Sequence, residues 1–96
     1  MSLDGKKRRK LRALGHHLAA VVHVGQEGVT AGVLTALEQA LWDHELVKVK
    51  LASDDRDTRR EQAGALATET GAVVAQVLGR TVLLYKPNPD QPRIEL

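Results

Sequence analysis

Two glycines three residues apart, Gly25 and Gly28, enclose Gln26 and Glu27 where the apolar run VVHV gives way to helical periodicity. A helix start leaves backbone N–H groups without partners at the positive end of the helix dipole. Glycines ahead of it let a phosphate approach the backbone without meeting a Cβ. The chemistry this spacing offers is therefore anion binding, not bond making. A bare strand-to-helix turn that needs positive φ would use the same two glycines, and Glu27 sets a carboxylate where a phosphate would rest. The longer nucleotide motifs GxxxxGK[ST] and GxGxxG are absent.

Cations form the second constellation. Lys6, Lys7, Arg8, Arg9, Lys10 and Arg12 face only Asp4 within residues 1–12, a surplus of five positive charges, while the other eight bases and eleven acids leave −3. A basic arm of this kind meets a polyanion, nucleic acid or an anionic membrane, or merely keeps the chain in solution. Lys48 and Lys50 alternate with apolar residues in ELVKVKL, and Arg80 and Lys86 flank the last apolar run. Whether the two strand lysines sit beside the glycine pair or only solubilise an open face depends on strand order. Arg56, Arg59 and Arg60 are interleaved with Asp54, Asp55, Asp57 and Glu61, which suggests local ion pairs on a solvated helix.

Other chemistries find little support. Without cysteine there is no disulfide framework, thiolate metal site or cysteine nucleophile. His16 and His17 are adjacent and diverge on a helix; neither His23 nor His44 has a second ligand at metal spacing. Ser2 and Ser53 lack a nucleophile context. We therefore expect no enzyme activity, metal, cofactor or small-molecule substrate. One Trp, one Tyr and no Phe exclude a recognition surface of several stacked rings; Trp42 and Tyr85 read as packing residues. No apolar run approaches the roughly 20 residues of a membrane span, so the expectation is a cytoplasmic protein without membrane attachment.

These residues need elements to position them. Leu11, Leu14 and Leu18 mark a buried stripe on a basic helix over about 6–14, which Gly15 stops; AAVVHV (19–24) is a strand. Thr30 caps a second helix to about His44, with Val33, Leu34, Leu37 and Leu41 on one face. In ELVKVKL (45–51), Val47, Val49 and Leu51 point one way and the lysines the other. SDDRD (53–57) feeds a third helix that ends at Gly71, unless Thr58 and Glu61 form a later capping box. AVVAQVL (72–78) and TVLLYK (81–86) flank Gly79-Arg80, a type II′ hairpin signal, and residues 87–96 form a loose proline-rich tail. The fold class is α/β: a single two-layer domain over 1–96, order αβαβαββ, with a mixed four-stranded sheet and helices packed against it.

The series GVTAGVLTALEQALWDHELVKVKL, preceded by VGQEG and followed by TGAVVAQVLGRTVLLYK, resembles the CRM domain (chloroplast RNA splicing and ribosome maturation), in particular its small stand-alone bacterial members, the YhbY family. The likeness spans about residues 6–86. It implies an RNA-binding domain with a fold similar to the C-terminal domain of translation initiation factor three. It also implies association with rRNA in precursors of the large ribosomal subunit. The family's GxxG loop, likened to that of KH domains, falls on Gly25, Gln26, Glu27 and Gly28. As Gln26 and Glu27 bring no positive charge, phosphate contacts there would rest on backbone N–H groups. Lys6, Lys7, Arg8, Arg9, Lys10, Arg12, Lys48, Lys50, Arg80 and Lys86 complete the expected RNA surface. The alternative is a module that docks on ribosomal or other proteins through its helices, the basic arm only steering it.

Overall fold

Alternation within the strands sets the architecture. The computed structural model describes residues 3–96; Met1 and Ser2, at the start of the expected domain, lie outside the described residues. The elements are α1 (Gly5–Gly15), β1 (Ala20–Val24), α2 (Ala31–His44), β2 (Leu46–Leu51), α3 (Arg56–Thr70), β3 (Val73–Leu78) and β4 (Thr81–Tyr85). The order αβαβαββ is as expected. The sheet is mixed, β1-β2-β4-β3, with β1 parallel to β2 and β4 antiparallel to both β2 and β3.

Val22 and Val24 of β1, Val47, Val49 and Leu51 of β2, and Val82 and Leu84 of β4 are buried with Leu37 and Leu41 of α2 and Leu66 of α3. Each such side chain removed from water contributes on the order of 2 kcal/mol. Leu46 of β2, Ala75 of β3, and Leu83 and Tyr85 of β4 form a second cluster around Leu11 of α1. The expected two-layer packing is thus extended. Strand β4 is apolar on both faces and β2 adds Leu46 to the second, and α1 covers the face opposite α2 and α3.

The local signals are clear. Thr30 Oγ1 accepts from Val33 N–H at 3.2 Å and starts α2. Asp55 caps α3 by accepting from Thr58 N–H at 2.8 Å and Thr58 Oγ1 at 2.7 Å, so the earlier of the two expected starts holds. The Thr58 bonds, aided by the Arg59 charge, hold the Asp55 carboxyl below its usual range. In the hairpin, Gly79 has φ +56 and Arg80 does not share a positive φ, as type II′ requires.

The leucine stripe of α1 is corrected. Leu11 is fully buried, yet Leu14 and Leu18 are 43% and 38% exposed. The helix ends at Gly15, so Leu18 lies beyond it, and α1 crosses β3, β4 and β2 without covering β1. Gly15 is the close approach: a Cβ there would meet Leu83 Cδ2 at 2.5 Å. Tyr85 is buried as expected, whereas Trp42 is 51% exposed.

Candidate nucleic-acid interface

Strands β1 and β2 run the same way, and α2 and α3 return from their ends. The topology therefore gathers the Gly25–Gly28 turn, the amino termini of α2 and α3, and the β3–β4 hairpin at one end of the sheet. Three backbone bonds hold this upper end together. Ala52 N–H donates to Val24 O at 2.9 Å, Leu51 N–H to Arg80 O at 2.7 Å, and Gly28 N–H to Gly25 O at 3.1 Å.

The two glycines are not equivalent. Gly28 has φ +80, which a side chain rarely adopts, so it meets a conformational need. Gly25 has no positive φ, and a Cβ there would meet nothing within 4 Å. Its missing side chain leaves open space. Gln26 and Glu27 are exposed at the tip, and among the described residues their N–H groups have no backbone partner. The same holds for Ala31 and Gly32 in the exposed first turn of α2, whose Val33 and Leu34 amides are taken by Thr30.

Strand register settles where the strand lysines lie. His23 pairs with Lys50 and Val24 with Leu51, so Lys50, which is exposed, stands two residue levels from Gly25. Lys48 lies two residues lower, about 7 Å along the strand. It is half-buried and lines a groove with Arg12, His16 and Thr81 between α1 and the sheet. Lys50, Lys48 and Arg12 thus form a cationic path leading away from the turn on the α1 face.

Other expected cations are placed differently. Arg8 Nη1 donates to Val74 O at 2.5 Å and to Ala75 O at 3.3 Å, closing carbonyls of the edge strand β3. Lys10 Nζ donates to Glu95 O on the tail. Lys86 Nζ donates to Thr70 O at 2.7 Å, closing the last turn of α3 at the lower end of the sheet. Arg80 is paired with Asp54. Lys6, Lys7 and Arg9 are exposed on the half of α1 that Arg8 ties to β3, three strands from β1. The proposed single surface is therefore divided: Lys50, Arg80 and the turn share one end, whereas Lys6–Lys10 and Lys86 do not.

The local ion pairs expected for Arg56, Arg59 and Arg60 are not formed. Arg59 Nη1 donates to Asp54 O at 2.8 Å and Ser53 O at 3.3 Å, and among the described residues Arg56 and Arg60 have no ion pair. The three arginines line a groove with Val77 and Gly79 at the upper end. Sequence reading missed this because two of the four interleaved acids are used elsewhere: Asp55 caps the helix and Asp54 meets Arg80.

No described helix is long and apolar enough to cross a membrane. The sequence matches the family described as the CRS1 / YhbY (CRM) domain over residues 3–86. It is 42% identical over 89 residues to a protein of Pseudomonas aeruginosa named a probable RNA-binding protein, covering 93% of this chain and 86% of the relative. A Haemophilus influenzae protein named RNA-binding protein is 41% identical over 95 residues, covering 99% and 95%. The solution structure of a Staphylococcus aureus hypothetical protein superposes with a TM-score of 0.87 at 28% identity, over 99% of both chains. The chain belongs to the CRS1/YhbY (CRM) domain family.

Proposed function

We propose that this protein binds RNA, specifically rRNA in precursors of the large ribosomal subunit, and assists their assembly in the cytoplasm without cofactor or catalysis. The observation that carries the reading is the register between β1 and β2. It sets Lys50 beside a glycine turn whose Gln26 and Glu27 N–H groups have no backbone partner among the described residues, in a family whose relatives are named RNA-binding proteins. Backbone donors and a flanking cation recognise phosphate and shape rather than base identity. In this reading Gly25 and Gly28 let the ribose-phosphate chain approach, Gln26 and Glu27 contribute main-chain donors, and Lys50, Lys48 and Arg12 carry it along the α1 face. Lys6, Lys7 and Arg9 raise the rate of encounter from a distance.

Crosslinking the protein to RNA in cells and sequencing the attached fragments tests this. Accumulation on large-subunit rRNA is expected; accumulation on messenger or transfer RNA, or no RNA above background, contradicts it. The exposed apolar flank of Leu14, Leu18 and Val21 favours a second reading, contact with a protein there. RNA binding weakens steeply with salt because counterions are released, whereas apolar docking does not.

A further inference from the structure

We propose that the groove between the first turns of α3 and the β3–β4 hairpin is a second phosphate-binding subsite, at which Arg56 and Arg60 hold the backbone of the RNA strand that passes the glycine turn. The inference rests on the RNA-binding reading and extends it to a surface on the far side of the upper end.

Three arginines line one concavity there, together with Val77 and Gly79. Arg59 is held by the Ser53 and Asp54 carbonyls. Arg56 and Arg60 are exposed and make no side-chain hydrogen bond or ion pair among the described residues. Among the described residues none of the nearby carboxylates is in ion-pair contact with them: Asp54 pairs with Arg80, Asp55 caps α3, and Asp57 and Glu61 form no ion pair. Like charges gathered in one groove repel, and cations at a helix amino terminus oppose the dipole. An anion in the groove relieves both costs. The planar guanidinium fork matches two phosphate oxygens at once, which suits arginine better than lysine.

Helix α3 adjoins both the groove and the glycine turn. Gln62, in the next turn of α3, brings Nε2 to 3.7 Å from where a Cβ on Gly28 would lie, and among the described residues its buried Oε1 has no hydrogen-bond partner. Helix α3 therefore touches the turn on one side and forms the groove on the other. Edge strands β1 and β3 are three strand spacings apart, about 14 Å, a distance of the order spanned by the four nucleotides that a GxxG loop clamps.

The test measures fluorescence anisotropy of a labelled single-stranded RNA of about 12 nucleotides over a salt series of about 50–200 mM, where the slope counts phosphates. The wild type is compared with R56A/R60A and with R56K/R60K. Loss of two phosphate contacts lowers the slope of log K against log salt by about 1.4 and weakens binding about tenfold at the lowest salt. The lysine pair regains the slope but binds less tightly than the wild type, and all three melt together because both positions are exposed. Wild-type affinity and slope in R56A/R60A overturn the groove while leaving the RNA reading intact. Absence of wild-type binding at the lowest salt overturns the RNA reading, and the groove with it.

Discussion

Glu45→Gln isolates one carboxylate on which the tail depends. Glu45 is 1% exposed and lies at the carboxyl end of α2 with φ +63, a strained value for a residue with a side chain. Its carboxylate accepts from the N–H groups of Asn88 at 2.6 Å, Arg93 at 2.6 Å and Ile94 at 2.7 Å. Burial pushes the carboxyl pKa up, but those three donors and the Arg93 charge outweigh it, leaving the group below its ordinary value. Glutamine keeps the shape and removes the charge. Two charge-assisted bonds become neutral ones, about 1 kcal/mol each, and the third N–H is left facing an amide donor at about 1–3 kcal/mol. Peeling of the tail into water limits the loss, so a destabilisation of about 3 kcal/mol is expected in urea unfolding. Amide exchange at Asn88, Arg93 and Ile94 should accelerate together. A change under about 0.5 kcal/mol with those amides still protected would refute the clamp.

Four further outcomes are expected. Because the folded pKa of Glu45 is depressed, its contribution is present above the ordinary glutamate range and lost as pH falls through the folded value. Acid titration of stability should show that loss in the wild type and not in Glu45→Gln. Gly28→Ala should cost about 1–2 kcal/mol, because φ +80 stays left-handed, while Gly25→Ala should melt within error of the wild type. Gly15→Ala should cost about 1–3 kcal/mol through overlap with Leu83, read by denaturant midpoint. Neutralising Lys6, Lys7 and Arg9 should slow RNA association more than it speeds dissociation, checked by stopped-flow; removing residues 1–12 instead would take away the buried Leu11.

Much of the fold was legible because its signals are local. Thr30, Asp55 and the Gly79-Arg80 turn act within a few residues, and the alternation of Val47, Val49 and Leu51 against the lysines marks one packed face. What escaped the sequence is long-range. Leu46, Leu83 and Tyr85 bury a second face only because α1 crosses there, and Leu14 and Leu18 are exposed because it stops short of β1. Arg8 and Lys86 resemble any other surface cation until distant carbonyls, of Val74 and of Thr70, come within reach. Glu45 carried no sequence signal beyond its place in HELVKVK, since its partners lie more than forty residues away. In the candidate site, spacing marked Gly25 and Gly28, but only strand register related Lys50 to them and separated Lys6–Lys10 from them.

RNA affinity of Gly25→Asp, set against Gly25→Ala, most directly examines the claim that the upper end of the sheet clasps phosphate. Both side chains enter open space, so both proteins should fold as the wild type does. Aspartate adds a negative charge where the phosphate rests, and it should weaken binding to a large-subunit rRNA fragment by about tenfold or more while alanine changes it far less. Equal, undiminished affinity in both variants, with melting unaltered, would place the RNA elsewhere on the molecule.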